Sequence, residues 1–181
     1  MKKILVIPGS LRQAWLSQSV ARGLVDFDLE GYDLQIVQVD DLPLYNEELE
    51  WSADMPQAWT DFRTRLTQAD AVLFVTPEYN RNTTTTIANA INVGSRPYQD
   101  NYRNNKKIGI ISVTGGPLGG YAANTTIRES GALLNMDMMA QPNGHFPFTQ
   151  ELLNEDGSLT ADWTSKFQDY LTAFTAWLEK Q

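Results

Sequence analysis

The sequence predicts an α/β fold, an open, doubly wound sheet of five parallel strands with helices on both faces. Short, continuous apolar runs recur along the chain, and uninterrupted hydrophobicity is typical of strands that are covered on both faces. Segments with helical spacing alternate with these runs, which favours parallel strands joined by crossover helices. The 181 residues contain no linker or internal repeat, so we expect residues 1–181 to form one domain.

Four clear apolar runs and a weaker fifth predict the strands. They cover residues 4–7, 34–39, 71–75, 108–113 and 136–140. Mostly apolar residues repeat at helical intervals between these runs, which predicts the helices. These stripes are Leu16, Val20 and Leu24; Trp59, Phe62 and Leu66; and Ala123, Ile127, Ser130 and Leu134. A longer stripe from Leu159 to Leu178 predicts a C-terminal helix that packs on the sheet.

Composition excludes several classes of protein. Twenty-two acidic and fourteen basic side chains give a net charge of −8, which disfavours binding to nucleic acid or to anionic membrane surfaces. No apolar run reaches the roughly 18 residues that a membrane span requires. The first apolar run is too short for a signal sequence, so we expect a cytoplasmic protein. The absence of cysteine excludes disulfides and thiolate chemistry.

Few residues suit metal binding or nucleophilic catalysis. The single histidine, His145, follows the fifth apolar run, and the sequence contains no G-x-S-x-G motif. We therefore predict that His145 is a loop residue without a catalytic role. The neighbouring carboxylates at 40–41 and 47–48 are typical of a solvated acidic surface. We predict no metal site and assign no catalytic side chain.

The loop after the first strand, from Pro8 to Ser17, is a candidate anion site, because ligands of such sheets bind at the carboxyl ends of the strands. The following helix offers unpaired N–H groups, Ser10 and Ser17 offer hydroxyls, and Arg12 can bind a phosphate with two N–H groups. An ordinary strand-to-helix turn is an equally good interpretation. The loop is neither a P-loop nor a dinucleotide fingerprint, since Gly9 is its only glycine.

The loops after the third and fourth strands also have unusual compositions. Residues 77–82 read Pro-Glu-Tyr-Asn-Arg-Asn, in which Tyr79 can offer a ring and Asn80 an amide to a planar ligand. The threonines at 83–86 are expected to cap the next helix. Residues 114–120 contain four glycines, which allow a ligand to approach the backbone closely. Taken alone, each loop is also compatible with a simple turn.

Five short motifs together indicate a family. They are Gly9-Ser10-Leu11-Arg12, Asp41-Leu42-Pro43-Leu44-Tyr45, Pro77-Glu78-Tyr79-Asn80, Asn89-Ala90-Ile91 and Gly116-Pro117-Leu118-Gly119-Gly120. In this order and approximate spacing, the chain resembles the NAD(P)H-dependent FMN reductases of flavodoxin-like fold, the group that contains the bacterial quinone and chromate reductases. Each motif is loose by itself, but the five in register extend over nearly the whole chain.

The resemblance implies an oxidoreductase that passes hydride from NADPH or NADH through FMN to a small acceptor such as a quinone or free flavin. It also implies a homodimer or homotetramer, because family members commonly pair as dimers or as dimers of dimers. The implied FMN site has three parts. They are Ser10, Leu11, Arg12 and Ser17 at the phosphate; Pro77, Glu78, Tyr79, Asn80 and Arg81 along the ribityl chain and ring; and Thr114, Gly115 and Gly116 beside the ring.

The chain departs from the family pattern at two places. Trp15 and Ser17 stand where the family usually has Ser and Asn, and Thr84-Thr85 replaces a Pro-Gly pair. Two alternatives to the reductase therefore stay open. One is a flavodoxin-like electron carrier without NAD(P)H turnover, and the other is a scaffold in which Trp15 fills the phosphate site and impairs FMN binding.

Overall fold

The computed structural model describes residues 1–11, 16–97 and 105–180, and it confirms the doubly wound parallel sheet. The strands β1 (Lys2–Pro8), β2 (Tyr32–Ile36), β3 (Ala71–Thr76) and β4 (Lys107–Val113) are joined by a fifth, interrupted one. Their order in the sheet is β2-β1-β3-β4 followed by the fifth strand, so the chain changes direction across the sheet between β1 and β3. In such sheets the crevice at that change of direction receives the ligand.

The fifth position of the sheet is filled by two short segments. β5 (Asp137–Met138) pairs with the beginning of β4, and β6 (His145–Phe146) pairs with its end. Two predictions were therefore wrong in detail: the run at 136–140 is not one strand, and His145 lies in a strand rather than in a loop. The polar residues at 141–144 separate the two segments, and a two-residue strand leaves no periodic signal in a sequence.

Helices cover both faces of the sheet, as predicted. α1 (Leu16–Val25) and α5 (Ala161–Leu178) pack on one face. α2 (Gln57–Gln68), α3 (Thr85–Gly94) and α4 (Tyr121–Leu133) pack on the other. Successive residues of β1 point to opposite faces, with Ile4 and Val6 in one core and Leu5 and Ile7 in the other. This arrangement explains why the strand is apolar at every position.

A loop that we call the strap, residues 41–55, lies beside α2 and α3. The side chain of Asn89 in α3 accepts the N–H of Tyr45 at 2.8 Å and donates to the carbonyls of Leu42 and Pro43 at 3.0 and 3.1 Å. Trp59 in α2 donates its indole N–H to the same carbonyl of Pro43 at 2.8 Å. Two of the five family motifs, those that begin at Asp41 and at Asn89, are therefore joined by these hydrogen bonds, which we call the clamp.

A buried ion pair anchors the far end of the strap. Both guanidinium nitrogens Nη1 and Nη2 of Arg63 donate to the carboxylate of Glu50, each at 2.8 Å, and Arg63 Nε donates to Val93 O at 2.9 Å. The side chains are only 6% and 4% exposed. Within the described ranges, no helix has both the length and the apolar character needed to cross a membrane.

Candidate functional site

The loops after β1, β3 and β4 meet at the carboxyl ends of the strands and form a cleft. The first of them rests directly on the beginning of α3. A Cβ atom at Gly9 would lie 2.8 Å from side-chain atoms of both Thr84 and Ile87, so a larger residue would push the loop away from the helix. Thr86 Oγ1 also donates to Gly9 O at 2.7 Å. The threonine run therefore builds the cleft as well as the helix.

A cavity of about 250 Å³ lies between the first loop and α3. Five of its seven lining residues carry a hydroxyl, but most of its lining surface is apolar. The lining residues are Gly9, Ser10, Leu11, Tyr79, Thr84, Thr85 and Thr86. Thr84 Oγ1 accepts the N–H of Ile87 at 3.3 Å, which confirms the predicted helix cap. Ser10 is buried, whereas Leu11 and Thr85 are exposed at the opening. A mostly apolar, neutral lining with a few hydroxyls is typical of a small-molecule site.

Ser17, in the first turn of α1, is completely buried, and among the described residues its hydroxyl has no hydrogen-bond partner. An unsatisfied buried hydroxyl costs about 1–3 kcal/mol. A donor left open at a helix N-terminus is the arrangement that receives an anion. The neighbouring Gln18 donates to Ser10 O at 2.8 Å and holds the loop against the helix. The predicted cation Arg12 and the predicted blocking residue Trp15 lie outside the described residues.

The loop after β3 makes a tight turn that projects its side chains outward. Tyr79 and Asn82 exchange backbone hydrogen bonds at 3.1 and 3.0 Å. Between them, Asn80 and Arg81 have φ angles of 51° and 60°, in the left-handed region that asparagine tolerates well. Tyr79 is 45% exposed, whereas Pro77 is buried at the end of the strand. The turn therefore presents a ring at the cleft, as the sequence predicted for a planar ligand.

Glu78 connects this turn to α4. Its carboxylate oxygen Oε2 accepts the N–H groups of Ala122 and Ala123 at 2.8 and 3.3 Å, and Oε1 lies 3.2 Å from Arg81 Nη1. A carboxylate at a helix N-terminus satisfies open N–H groups and complements the helix dipole. Glu78 therefore fixes α4 and the turn relative to each other, a structural role that its position in the sequence did not indicate.

The glycine-rich loop after β4 borders a second cavity of about 290 Å³. The lining residues are Glu78, Arg81, Thr114, Gly116, Pro117, Leu118 and Gly120. The turn after β3 thus lies between the two cavities, with Tyr79 in the first and Arg81 in the second. The N–H groups of Gly115 and Gly116 donate to no acceptor within the described parts of the chain. Both are available to a carbonyl-bearing ligand.

His145 lies at the side of the cleft, in β6. Its ring meets the ring of Tyr121 edge-on, with 5.6 Å between the ring centroids. Burial, and secondarily the nearby positive charge of Arg128, lower the pKa of His145 below its ordinary value. The described residues contain no group of three His, Cys, Asp or Glu side chains that could hold a metal ion.

Sequence reasoning missed two residues that shape the cleft, Gln18 and Gln150. Each uses a side-chain amide to hold the backbone of a distant loop, at Ser10 and Gly115 respectively. Neither glutamine belongs to a recognisable motif, and their partners lie 8 and 35 residues away in the chain. Asn89 did carry a signal, since it belongs to a family motif, but nothing in the motif indicated that its side chain holds the strap.

The fold and the cleft define the class of protein: a flavodoxin-like α/β protein with a cleft and a glycine-rich loop at the carboxyl ends of its strands. The family profile described as NADPH-dependent FMN reductase matches residues 2–152. The chain belongs to the NADPH-dependent FMN reductase family. The resemblance found in the sequence is thereby confirmed, and with it the expectations of an FMN-dependent oxidoreductase and of NAD(P)H as hydride donor.

Individual relatives cover almost the full length of the chain. It is 38% identical over 176 residues to a quinone reductase from Pseudomonas putida, spanning 97% of this chain and 94% of the relative. It is 28% identical over 177 residues to a 2-hydroxy-1,4-benzoquinone reductase from a Burkholderia species, spanning 97% and 96%. Among solved structures, FerB, a flavoenzyme NAD(P)H:(acceptor) oxidoreductase from Paracoccus denitrificans, superposes with a TM-score of 0.88 at 32% identity, covering 99% of this chain and 98% of FerB.

Proposed function

We propose that this protein is an NAD(P)H-dependent FMN oxidoreductase that reduces a small acceptor such as a quinone. When bound, FMN supplies hydride chemistry, taking reducing equivalents from the nicotinamide and passing them to the acceptor. The observation that carries the proposal is the buried, unpartnered hydroxyl of Ser17 in the first turn of α1, the helix whose Gln18 holds the loop that lines the first cavity. The relatives named quinone reductase support the choice of acceptor class.

The donor set of the cleft fits FMN. In this proposal the phosphate binds at the N-terminus of α1, held by Ser10 and Ser17 together with Leu11 and Arg12 of the same loop. A fixed hydroxyl and open helix N–H groups favour a dianion without requiring a metal ion. Thr84 and Thr85, at the positions where the chain departs from the family pattern, also line this cavity. The threonine run is therefore compatible with FMN binding.

The ring of the cofactor is proposed to lie between the turn after β3 and the glycine-rich loop. Pro77, Glu78 and Asn80 maintain the shape of the turn, while Tyr79 and Arg81 border the two cavities. On the other side Thr114 ends the strand, and Gly115 and Gly116 offer N–H groups to ring carbonyls. Donors fixed before the ligand arrives need no reorganisation on binding. These residues bind and orient, and we assign no side chain as an obligatory acid or base.

Assembly and location belong to the same proposal. We propose that the whole chain forms one FMN-binding domain, which works as a homodimer or homotetramer in the cytoplasm. The exposed apolar side chains of Leu118 and Tyr121 beside the cleft support a partner subunit there, because apolar groups at a rim favour association. Light scattering on the purified protein is expected to give the mass of two or four chains, and a monomer at all concentrations would contradict this part.

The test is to titrate FMN into the purified protein, following flavin fluorescence, and then to follow nicotinamide absorbance. We expect saturable FMN binding and oxidation of NADPH or NADH that requires FMN and is accelerated by a quinone. Ser17→Ala should weaken FMN binding, whereas Ser165→Ala, a change at an exposed position of α5, should not. FMN binding without nicotinamide oxidation would instead identify an electron carrier. No FMN binding would favour the scaffold interpretation.

A further inference from the structure

The glycine-rich loop is held from one side by the segment 148–150. Three successive carbonyl oxygens of the loop accept hydrogen bonds from this segment. The bonds are Thr149 N to Thr114 O at 3.2 Å, Gln150 Nε2 to Gly115 O at 2.7 Å and Phe148 N to Gly116 O at 3.4 Å. The three peptide planes that follow residues 114, 115 and 116 are therefore all turned with their carbonyls toward residues 148–150.

This orientation determines where the N–H groups of the loop point. In a trans peptide the N–H of a residue points opposite to the carbonyl of the residue before it. The N–H groups of Gly115 and Gly116 therefore point away from the segment 148–150, and neither finds an acceptor among the described residues. The next residue, Pro117, has no N–H at all. The loop thus presents two successive backbone donors, followed by a residue that has none.

Only one of the three bonds comes from a side chain. Gln150 Nε2 donates to Gly115 O, and so fixes the peptide whose N–H belongs to Gly116. A peptide between two glycines meets little steric resistance to rotation, because neither residue carries a Cβ atom. Gln150 itself is exposed, so the backbone of residues 148–150 does not depend on its side chain for burial.

We propose that Gln150 is a positioning residue for FMN, which orients the Gly115–Gly116 peptide and thereby sets the affinity and reduction potential of the bound cofactor. The inference rests on the proposed function, since it concerns the same cleft. A donor oriented in advance binds a ring carbonyl without an orientational cost. Because a ring that gains electrons accepts hydrogen bonds more strongly, the same oriented donor stabilises the reduced form relative to the oxidised one.

The first experiment compares Gln150→Ala with the unaltered protein. We expect the dissociation constant of FMN to rise about three- to tenfold, the range expected for one lost hydrogen bond. The midpoint potential of the bound FMN should become more negative. In the FMN-free protein, the amide NMR resonances of Gly115 and Gly116 should shift or broaden, while those of α5 stay in place. Gln168→Ala, a change at an exposed position of α5, is the matched control and should leave all three measurements unchanged.

A second variant separates the hydrogen bond from the mere presence of a long side chain. In Gln150→Glu the protonated carboxyl can donate to Gly115 O, but the carboxylate cannot, and it repels the carbonyl. The difference in potential from the unaltered protein should therefore shrink as the pH falls toward the carboxyl pKa of about 4.3. In Gln150→Ala the difference should persist at every pH.

The inference is overturned if Gln150→Ala keeps the amide resonances of Gly115 and Gly116 and the potential of the unaltered protein. It is equally overturned if Gln150→Glu shows no dependence on pH beyond that of Gln150→Ala. Failure of the unaltered protein to bind FMN would contradict the proposed function instead. The amide resonances of the FMN-free protein would then decide by themselves whether Gln150 orients the peptide.

Discussion

The strap and the cleft differ in their hydrogen bonding. The side chains that anchor the strap are paired, whereas several donors of the cleft are open. In the strap, the amide of Asn89 serves three backbone groups, and Arg63 and Glu50 satisfy each other. In the cleft, the hydroxyl of Ser17 and the N–H groups of Gly115 and Gly116 have no acceptor within the described chain. Both regions carried family motifs. The bonds of Asn89 and of the Arg63–Glu50 pair indicate a structural role for the strap, whereas the open donors of the cleft support its proposed role in ligand binding.

The largest expected effect comes from breaking the strap at its ion pair. Arg63→Met leaves the buried carboxylate of Glu50 without its partner and removes one of the donors to Val93 O. Removing one member of a buried pair costs about 3–5 kcal/mol, because the remaining charge stays desolvated. Urea unfolding should show a free energy of unfolding lowered by about that amount. FMN affinity at low temperature, where the variant is still folded, should be unchanged.

The double variant Arg63→Met with Glu50→Leu is the control for this prediction. It removes both charges, and replacing a buried pair by apolar residues of similar size is often neutral. Most of the lost stability should therefore return. A double variant as unstable as Arg63→Met would mean that the shape of the strap, rather than the unpaired charge, determines the cost.

A somewhat smaller loss is expected from Asn89→Leu. Leucine has a similar volume but leaves the N–H of Tyr45 and the carbonyl of Leu42 without their partner, at a cost of about 2–3 kcal/mol. The carbonyl of Pro43 keeps its bond from Trp59. Asn89→Asp near neutral pH should lose at least as much stability in the same urea experiment, because a buried carboxylate would face the two carbonyl oxygens that Asn89 now bonds. A loss below about 1 kcal/mol in either variant would contradict the clamp.

Two buried serines sharpen the comparison, because they should respond in opposite ways. Ser112 Oγ donates to Gly119 O at 2.7 Å, so Ser112→Ala should lower the free energy of unfolding by about 1–2 kcal/mol. Ser17 has no partner, so Ser17→Ala should leave the FMN-free protein as stable or up to about 1 kcal/mol more stable. The same change should weaken FMN binding about tenfold. Thermal unfolding with and without FMN measures both effects.

If Ser17→Ala destabilised the FMN-free protein as much as Ser112→Ala does, the Ser17 hydroxyl would have a structural role. The contrast between the strap and the cleft would then not hold for Ser17. A loss of FMN affinity without a loss of stability is the outcome that a ligand-binding hydroxyl requires.

The fold was predictable from the sequence where burial is strong and continuous. The runs at 4–7 and 71–75 lie within fully buried strands, because a strand that is covered on both faces needs an apolar residue at every position. The fifth strand was not predictable in detail, since β6 contains only two residues and its position depends on pairing with β4. The segment between β5 and β6 is held by Arg128, whose Nη1 donates to Met139 O at 2.9 Å, a bond across 11 residues of sequence.

The site was predictable as a set of loops, but the state of each polar group was not. Ser17 and Glu78 looked alike in the sequence, as polar residues at the edges of ligand loops. In the structure the carboxylate of Glu78 accepts a backbone N–H of α4, whereas the hydroxyl of Ser17 has no partner among the described residues. This difference depends on which backbone groups a side chain can reach in three dimensions. Gln150 was missed for the same reason, since its partner lies 35 residues away.

The smallest expected effect concerns His145, which lies in β6 at the side of the cleft. Burial and the charge of Arg128 lower its pKa in the folded protein, and the ring of Tyr121 and the side chains of Lys166 and Asp169 are its other neighbours at that surface. The unfolded chain takes up the proton at about pH 6.5, before the folded protein does, so protonation favours unfolding. His145 therefore contributes its full stability above that pH and loses it as the pH falls through the lower folded pKa.

His145→Asn should show a shallower decline of the free energy of unfolding between about pH 7 and about pH 5 than the unaltered protein, and an equal slope above that window. Chemical unfolding at constant ionic strength gives both slopes. The carboxylates titrate in both proteins and cancel in the comparison. Parallel curves of the free energy of unfolding through this pH range would therefore show that His145 is solvated.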